Sequence, residues 1–129
     1  MYSLNMPDNS AQDLDLTFLY EIADGSDEFV VESIDMLLQQ APEMLNSIDQ
    51  ALQSTDWPTA AASAHKLKPS MGFFGMLISQ GLLQEIELLC KAGGQEPEQI
   101  KEKYFQAKDL IENNLSALVR IKAEKEAGI

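Results

Sequence analysis

The chain contains one histidine, His65, in a stretch whose residue pattern predicts a helix. At about 100° per residue, four apolar residues spaced three or four apart fall on one narrow stripe, which should face a core. These residues are Ala60, Ala64, Leu67 and Met71. His65 lies roughly 130° from the centre of that stripe. We therefore expect its imidazole to meet water.

The helical neighbours of His65 should leave room around the ring. The positions three, four and seven residues away hold four small or compact residues and one cation. The compact residues are Ala61, Ala62, Pro69 and Gly72, and the cation is Lys68. A large partner, and not only a small solute, could therefore reach this imidazole.

An exposed imidazole can act as a nucleophile. The side chain has an ordinary pKa of about 6.5, so at neutral pH an exposed ring is mostly unprotonated. Nε2 can attack phosphorus while a neighbour holds Nδ1–H, and no general base is needed because the attacking nitrogen carries no proton. Phosphoryl transfer also needs positive charge near the moving oxygens. Lys68, one helical turn after His65, is placed to supply that charge.

Other chemistries lack the residues that they need. The chain has no phosphate-binding glycine loop. One histidine cannot build a His-rich metal site or a di-iron bundle, and an outward-pointing ring disfavours metal or haem binding in the core. Many acids are present, but nothing in the sequence places one behind His65 as a catalytic triad would require. We expect a protein that is not an enzyme, with neither ATP binding nor autokinase activity.

Composition and charge restrict the possible partners. The 129 residues are enough for one domain, and 21 acidic against 9 basic residues give a net charge of −12. This excess argues against nucleic acid and against anionic membrane surfaces, although acidity can equally serve solubility. The single cysteine, Cys90, excludes an internal disulfide and has the apolar flanks of a buried residue.

The chain also lacks the sequence features of a membrane or exported protein. No apolar run approaches membrane-spanning length, and the N-terminus shows no basic-then-apolar targeting signal. We therefore expect a soluble, cytoplasmic protein. We also expect a monomer, because no continuous second apolar face is present.

Apolar residues recur every three or four positions along most of the chain, which predicts helices. A short amphipathic helix is predicted over 15–23, followed at Ser26 by the cap of a long helix over 27–54. Pro42 lies inside that long helix and should kink it. Asp56 is predicted to cap a third helix that runs to about Met71.

Two further helices complete the pattern. A fourth is predicted to begin near Met76 and to end at Gly93-Gly94, and Pro97 opens the last one. The expected core face of the fourth consists of Ile78, Leu82, Ile86 and Leu89. The expected core face of the last consists of Ile100, Tyr104, Ala107, Ile111, Leu115, Leu118 and Ile121.

Four long amphipathic helices joined by short loops favour an all-α fold, an antiparallel up-down-up-down four-helix bundle. The short additional N-terminal helix should lie across one end. No segment alternates as a strand would. We expect residues 1–12 to form a flexible N-terminal arm and residues 13–126 to form a single bundle domain.

The run from His65 to Gly75 reads HKLKPSMGFFG. It resembles the motif of histidine-containing phosphotransfer (HPt) domains, H-x-L-K-x-x-x-G-x-x-G. The helix lengths and Pro42 also resemble that family, so the resemblance covers about residues 15–125. It implies that His65 is the phosphorylated residue and Lys68 the phosphate-stabilising cation. It also implies that Mg²⁺ and the catalytic carboxylates come from a partner receiver domain, so that this chain holds no cofactor of its own.

Pro69 departs from the family pattern, which usually has glycine directly after the lysine. Proline removes the hydrogen bond to the carbonyl of His65 and can change how closely a partner packs. Family members also often hold the imidazole with a polar side chain from a neighbouring helix. Glu87 on the fourth helix is a candidate for that role.

The remaining supporting candidates lie on either side of the histidine. Gln39 and Gln40, on the second helix, are weaker candidates than Glu87 for holding the imidazole. Gly72 and Gly75 can bend the end of the third helix and also give clearance to a partner.

Two functions follow from these observations. The first is a phosphorelay intermediate in two-component signal transduction, which accepts a phosphoryl group from a receiver-domain aspartate on His65 and passes it to another receiver domain. The expected partners are response-regulator receiver domains and a hybrid sensor histidine kinase. The alternative is a non-catalytic module that docks a receiver domain or another protein without phosphorylation of His65. Pro69 is the residue that keeps this alternative open.

Overall fold

The computed structural model describes residues 11–128, which form five α-helices and no strand. The helices are α1 Thr17–Ala23, α2 Asp27–Gln53, α3 Trp57–Phe73, α4 Leu77–Lys91 and α5 Pro97–Ala127. The predicted all-α class is therefore confirmed. Of the predicted N-terminal arm, residues 1–10 lie outside the described part of the chain, and the domain boundary at residue 13 stays a prediction.

The four long helices pack in a ring. The helix α2 contacts α3 and α5, and α4 contacts the same two helices from the other side. Because three to five residues connect consecutive long helices, each runs antiparallel to the next. The helix α1 packs against α2 and reaches the end of α3, where the rings of Phe18 and Phe73 meet edge to face. Between residues 11 and 128, no helix has the length and apolar character needed to cross a bilayer.

Local capping signals set where the helices begin. The Ser26 hydroxyl accepts a hydrogen bond from the backbone N–H of Phe29 at 3.1 Å, and Asp56 accepts one from Thr59 at 3.2 Å. Both predicted caps are confirmed. Their hydroxyl and carboxylate oxygens satisfy N–H groups that have no partner within the first turn.

Two prolines lie inside helices without ending them. The helix α2 continues past Pro42 to Gln53, and α3 continues past Pro69 to Phe73, two residues beyond the predicted end. The kink expected at Pro42 stays a prediction. The turn after α3 closes at Gly75, whose φ of +69° is a left-handed conformation that favours glycine.

The core follows the predicted helix phases in α3 and α5. The four residues of the α3 stripe, from Ala60 to Met71, are all fully buried. In α5 the expected face is buried or half-buried throughout, and the hydroxyl of Tyr104 donates to the carbonyl of Leu45 at 3.0 Å. Cys90 is buried as expected, and this burial raises the pKa of its thiol to about 11.

The predicted core face of α4 is confirmed for Ile86 and for the half-buried Leu82 and Leu89, and it was wrong for Ile78. Ile78 is exposed and Ile86 is the only fully buried member of the expected set. The buried residues of α4 are instead Ser79, Leu83, Ile86, Glu87 and Cys90. Two polar residues occupy core-facing positions, so the spacing of apolar residues indicated a face rotated from the real one.

The segment before α1 joins α4 to α5. The Asp13 carboxylate accepts from the backbone N–H and hydroxyl of Ser79, at 2.7 and 3.1 Å, and from the Asn114 amide at 2.6 Å. Any side chain at Gly75 would collide with the carbonyl oxygen of Asp15. Gly75 therefore allows this segment to cross the turn between α3 and α4, and its predicted role in partner clearance stays a prediction.

Candidate functional site

His65 projects from the face of α3 that lies away from the core stripe. Its side chain is 67% exposed. This position agrees with the predicted helix phase, because the four residues of the core stripe are buried while His65, away from that stripe, is exposed. The imidazole is therefore accessible to a macromolecule.

The neighbouring helix α4 supplies an acid directly to this imidazole. Glu87 Oε2 lies 3.0 Å from Nδ1 of His65, and the Glu87 residue is only 3% exposed. Two lysines contact the same carboxylate. The ammonium of Lys68 lies 2.6 Å from Oε1, and that of Lys91 lies 2.8 Å from Oε2. We call these four residues, His65, Lys68, Glu87 and Lys91, the Glu87 cluster.

The two lysines keep Glu87 ionised. Hydrogen bonds from Lys68 and then Lys91 lower the pKa of this carboxyl to about 2, against the opposing effect of burial. An ionised carboxylate can only accept hydrogen bonds. In the neutral ring, Nδ1 of His65 must therefore carry the proton, which leaves a free lone pair on Nε2. The acid thus fixes which nitrogen can act as a nucleophile.

Lys68 is held close to His65 by α4. Its ammonium also donates to the side-chain oxygen of Gln84, and its carbonyl accepts from Nε2 of Gln80 at 3.2 Å. A Cβ at Gly72 would lie 2.7 Å from that same nitrogen of Gln80. Gly72 therefore makes room for the Gln80 amide, which is a reason for glycine that the sequence pattern alone did not reveal.

A shallow cleft lies beside His65 between α3 and α4, with a volume of about 530 Å³. It is lined by His65, Lys68, Pro69, Leu77, Gln80, Gly81 and Gln84. Leu77 is an apolar residue on its rim and is 67% exposed. A Cβ added at Gly81 would meet nothing within 4 Å, so the α4 side of the cleft is open.

Three of the predicted supporting residues do not lie beside the His65 ring. Ala61 is buried and packs in the core, so the expectation that it lines the surface around His65 was wrong, whereas Ala62 is exposed. Gln40 accepts a hydrogen bond from the hydroxyl of Ser70 at 2.7 Å, and Gln39 is exposed on α2. Neither glutamine forms a hydrogen bond with His65, and Glu87 is the residue that does.

Sequence reasoning missed Gln80, Gln84 and Lys91. A signal for them exists, because these residues and Glu87 recur at steps of four, three and four and so form one polar stripe along α4. A stripe of polar residues at helical spacing can line an interface as an apolar stripe lines a core. Within residues 11–128, no group of three or more His, Cys, Asp or Glu residues could hold a metal ion.

Comparisons with known proteins agree with this fold. The family model described as "Hpt domain" matches residues 32–120. A crystal structure of the HPT domain from a sensor hybrid histidine kinase of Shewanella superimposes with a TM-score of 0.71. The alignment covers 91% of this chain and 97% of that one at 24% identity, so this likeness concerns the fold. A search of curated proteins gave no significant match. Since the family model covers more than half of the chain, this protein belongs to the Hpt domain family.

Proposed function

We propose that this protein carries a phosphoryl group on His65 in a two-component phosphorelay. It would accept the group from the aspartyl phosphate of one receiver domain and pass it to another. The observation that carries this proposal is the bond between Nδ1 of the exposed His65 ring and the buried, ionised Glu87, at 3.0 Å. Family membership supports the class of reaction. The hydrogen bond to Glu87 keeps the proton on Nδ1 and so leaves Nε2 free to act as the nucleophile.

The transfer step follows from the geometry of the ring. The lone pair on Nε2 attacks phosphorus, a P–N bond forms, and the P–O bond to the aspartate breaks. The electron pair of that bond leaves with the aspartate as a carboxylate. Because the ring retains its Nδ1–H, it becomes positively charged as the P–N bond forms. The Glu87 carboxylate stabilises this charge. The reverse transfer to a second receiver uses the same contacts.

Lys68 is the cation available to the transferring oxygens. It lies one helical turn after His65, and its side chain is mostly buried against α4 with its ammonium at the edge of the cleft. A lysine held in place pays less entropy when it binds a phosphoryl oxygen than a fully mobile one. Mg²⁺ and the acids that hold it would come from the receiver domain.

The cleft beside His65 is the proposed docking site for the receiver. Leu77 offers an exposed apolar contact, and Gly81 leaves space for an approaching helix or loop. A hybrid sensor histidine kinase is one source of such a receiver, in keeping with the protein named for the similar Shewanella structure. The predicted cytoplasmic location and monomeric state belong to the same proposal.

The test is transfer from a receiver domain that has been phosphorylated in the presence of Mg²⁺. We expect the protein to take up label that survives alkali and is lost in acid, as a phosphoramidate is. His65→Gln should take up none while it still binds the receiver. Incubation with ATP alone should label neither the parent protein nor His65→Gln, because the sequence contains no nucleotide-binding motif.

Two outcomes would contradict the proposal. Label retained by His65→Gln would place the phosphoryl group on another residue. Binding of receivers without any labelling of the parent protein would favour the docking module instead. Pro69 lines the cleft and would then be the residue to change first, to glycine, since glycine restores the backbone donor that proline lacks.

A further inference from the structure

Lys91 has no role in the function proposed above, although it contacts the centre of the site. It is the last residue of α4, one turn after Glu87, and its ammonium lies 2.8 Å from Glu87 Oε2. Its side chain is 61% exposed, so little of it packs against the protein. The Lys91 side chain therefore adds little packing, and what it brings to the buried Glu87 carboxylate is its charge. Its position beside a buried acid requires another explanation.

The Lys68 ammonium is needed at two different places. In the resting protein Lys68 neutralises Glu87, but during transfer the same ammonium is needed at the phosphoryl oxygens. Glu87 is 3% exposed, and a buried carboxylate that loses its partner is strongly destabilised. Without a second cation beside Glu87, movement of Lys68 to the phosphoryl oxygens would leave the buried carboxylate without a counter-charge.

The two carboxylate oxygens have different partners. Oε1 is contacted by Lys68, whereas Oε2 is contacted by both Lys91 and Nδ1 of His65. A shift of Lys68 towards a phosphoryl group therefore disturbs Oε1 and leaves the contacts of Oε2 in place. The contact of Lys91 with Oε2 does not depend on the position of Lys68.

We propose that Lys91 is a positioning residue that keeps Glu87 paired while Lys68 turns to the transferring phosphoryl group. The inference rests on the proposed function, because it assumes transfer to His65. In this proposal Lys91 does not act on the phosphoryl group or the receiver directly. It acts through Glu87, which holds the His65 ring in its reactive form and stabilises the charge that develops there.

The experiment compares the transfer rates of three variants with the parent. Lys91→Met removes the charge but keeps most of the side-chain length, and Lys91→Arg keeps a cation that can pair with a carboxylate. Lys101→Met is the matched control, because it makes the same charge change on the exposed surface of α5. Rates are measured over a range of receiver concentrations.

We expect Lys91→Met to lower the rate at saturating receiver about fivefold, the size of a weak ion pair, with KM unchanged. Lys91→Arg should restore most of the rate, and Lys101→Met should match the parent. A purely structural role for Lys91 would not separate the rate from KM in this way. Circular dichroism and thermal melting check that each variant is folded.

Three results would overturn the inference. They are a parent-like rate in Lys91→Met, a loss that appears only in KM, and a Lys91→Arg variant as slow as Lys91→Met. Failure of the proposed function looks different, because then the parent itself takes up no label or His65→Gln still takes it up. If Lys91→Met fails to fold, Lys91→Gln replaces it in the same comparison.

Discussion

Glu87 is a charged residue in a buried position, which is unfavourable unless other groups compensate its charge. A carboxylate that is 3% exposed normally costs free energy, and here it is offset by two ammonium groups and one imidazole N–H. Lys68 and Lys91 lower the pKa of the carboxyl to about 2 from its ordinary 4.5. A group with a lower pKa in the folded protein binds fewer protons there than in the unfolded chain. It therefore stabilises the fold above its unfolded pKa.

This gives a prediction for acid stability. The stabilisation from Glu87 should be complete above about pH 4.5 and should be lost as the pH falls through this range towards 2. The comparison is between the parent and Glu87→Gln, because all other acids are common to both. Urea denaturation at pH 7, 4.5 and 3 measures the difference in free energy of unfolding. The parent's advantage should shrink between pH 4.5 and 3, and a difference that stays constant would contradict the low pKa.

At the scale of the helix, α4 carries a feature that can be tested without disturbing the core. Gly81 is exposed in the middle of this helix, and a Cβ there meets no atom within 4 Å. Gly81→Ala should stabilise the fold by up to about 1 kcal/mol, since alanine is the better helix former. Gly81→Trp should keep the fold but fill the cleft beside His65.

The two variants separate stability from docking. Gly81→Ala should transfer at nearly the parent rate, and Gly81→Trp should raise KM for the receiver about tenfold or more, as expected when a bulky side chain blocks an interface. Thermal melting gives the stability and labelling by a phosphorylated receiver gives the KM. If the tryptophan variant has a parent-like KM, the receiver docks elsewhere than in this cleft.

The helices also show how far the sequence could predict the site. The phase of α3 was enough to place His65 outward, because the four apolar residues of its predicted stripe are all fully buried. The phase of α4 was predicted only in part, because Ser79 and Glu87 also face inward, each paired with a partner far away in the sequence. Such pairs depend on the packing of helices. Their partners become visible only when the bundle is assembled.

At the scale of the whole molecule, the bundle places a small group of cations within an acidic protein. The net charge is −12, yet the one buried acid of the site is surrounded by Lys68, Lys91 and His65. The helices α3 and α4 must stay in register to hold these groups together, because His65 and Lys68 lie on one and Glu87 and Lys91 on the other. The segment before α1 contributes to this register at the first turn of α4, where Asp13 contacts Ser79.

Asp13 makes that contribution measurable. Its carboxylate takes the place of an N-cap for α4 by accepting from the backbone N–H of Ser79, and it also satisfies the fully buried Asn114 of α5. Asp13→Ala should leave both partners without their acceptor and lower the free energy of unfolding by about 2 kcal/mol. Urea denaturation measures this loss, with the exposed Asp109→Ala on α5 as the control for the charge change.

The same variant should leave the chemistry of the site intact. Asp13 touches the first turn of α4, whereas Glu87 lies more than two turns further on. Labelling of His65 by a phosphorylated receiver should therefore stay close to the parent rate under conditions where Asp13→Ala is folded. A variant as stable as the parent would mean that the segment before α1 is not part of what holds α4 against α5.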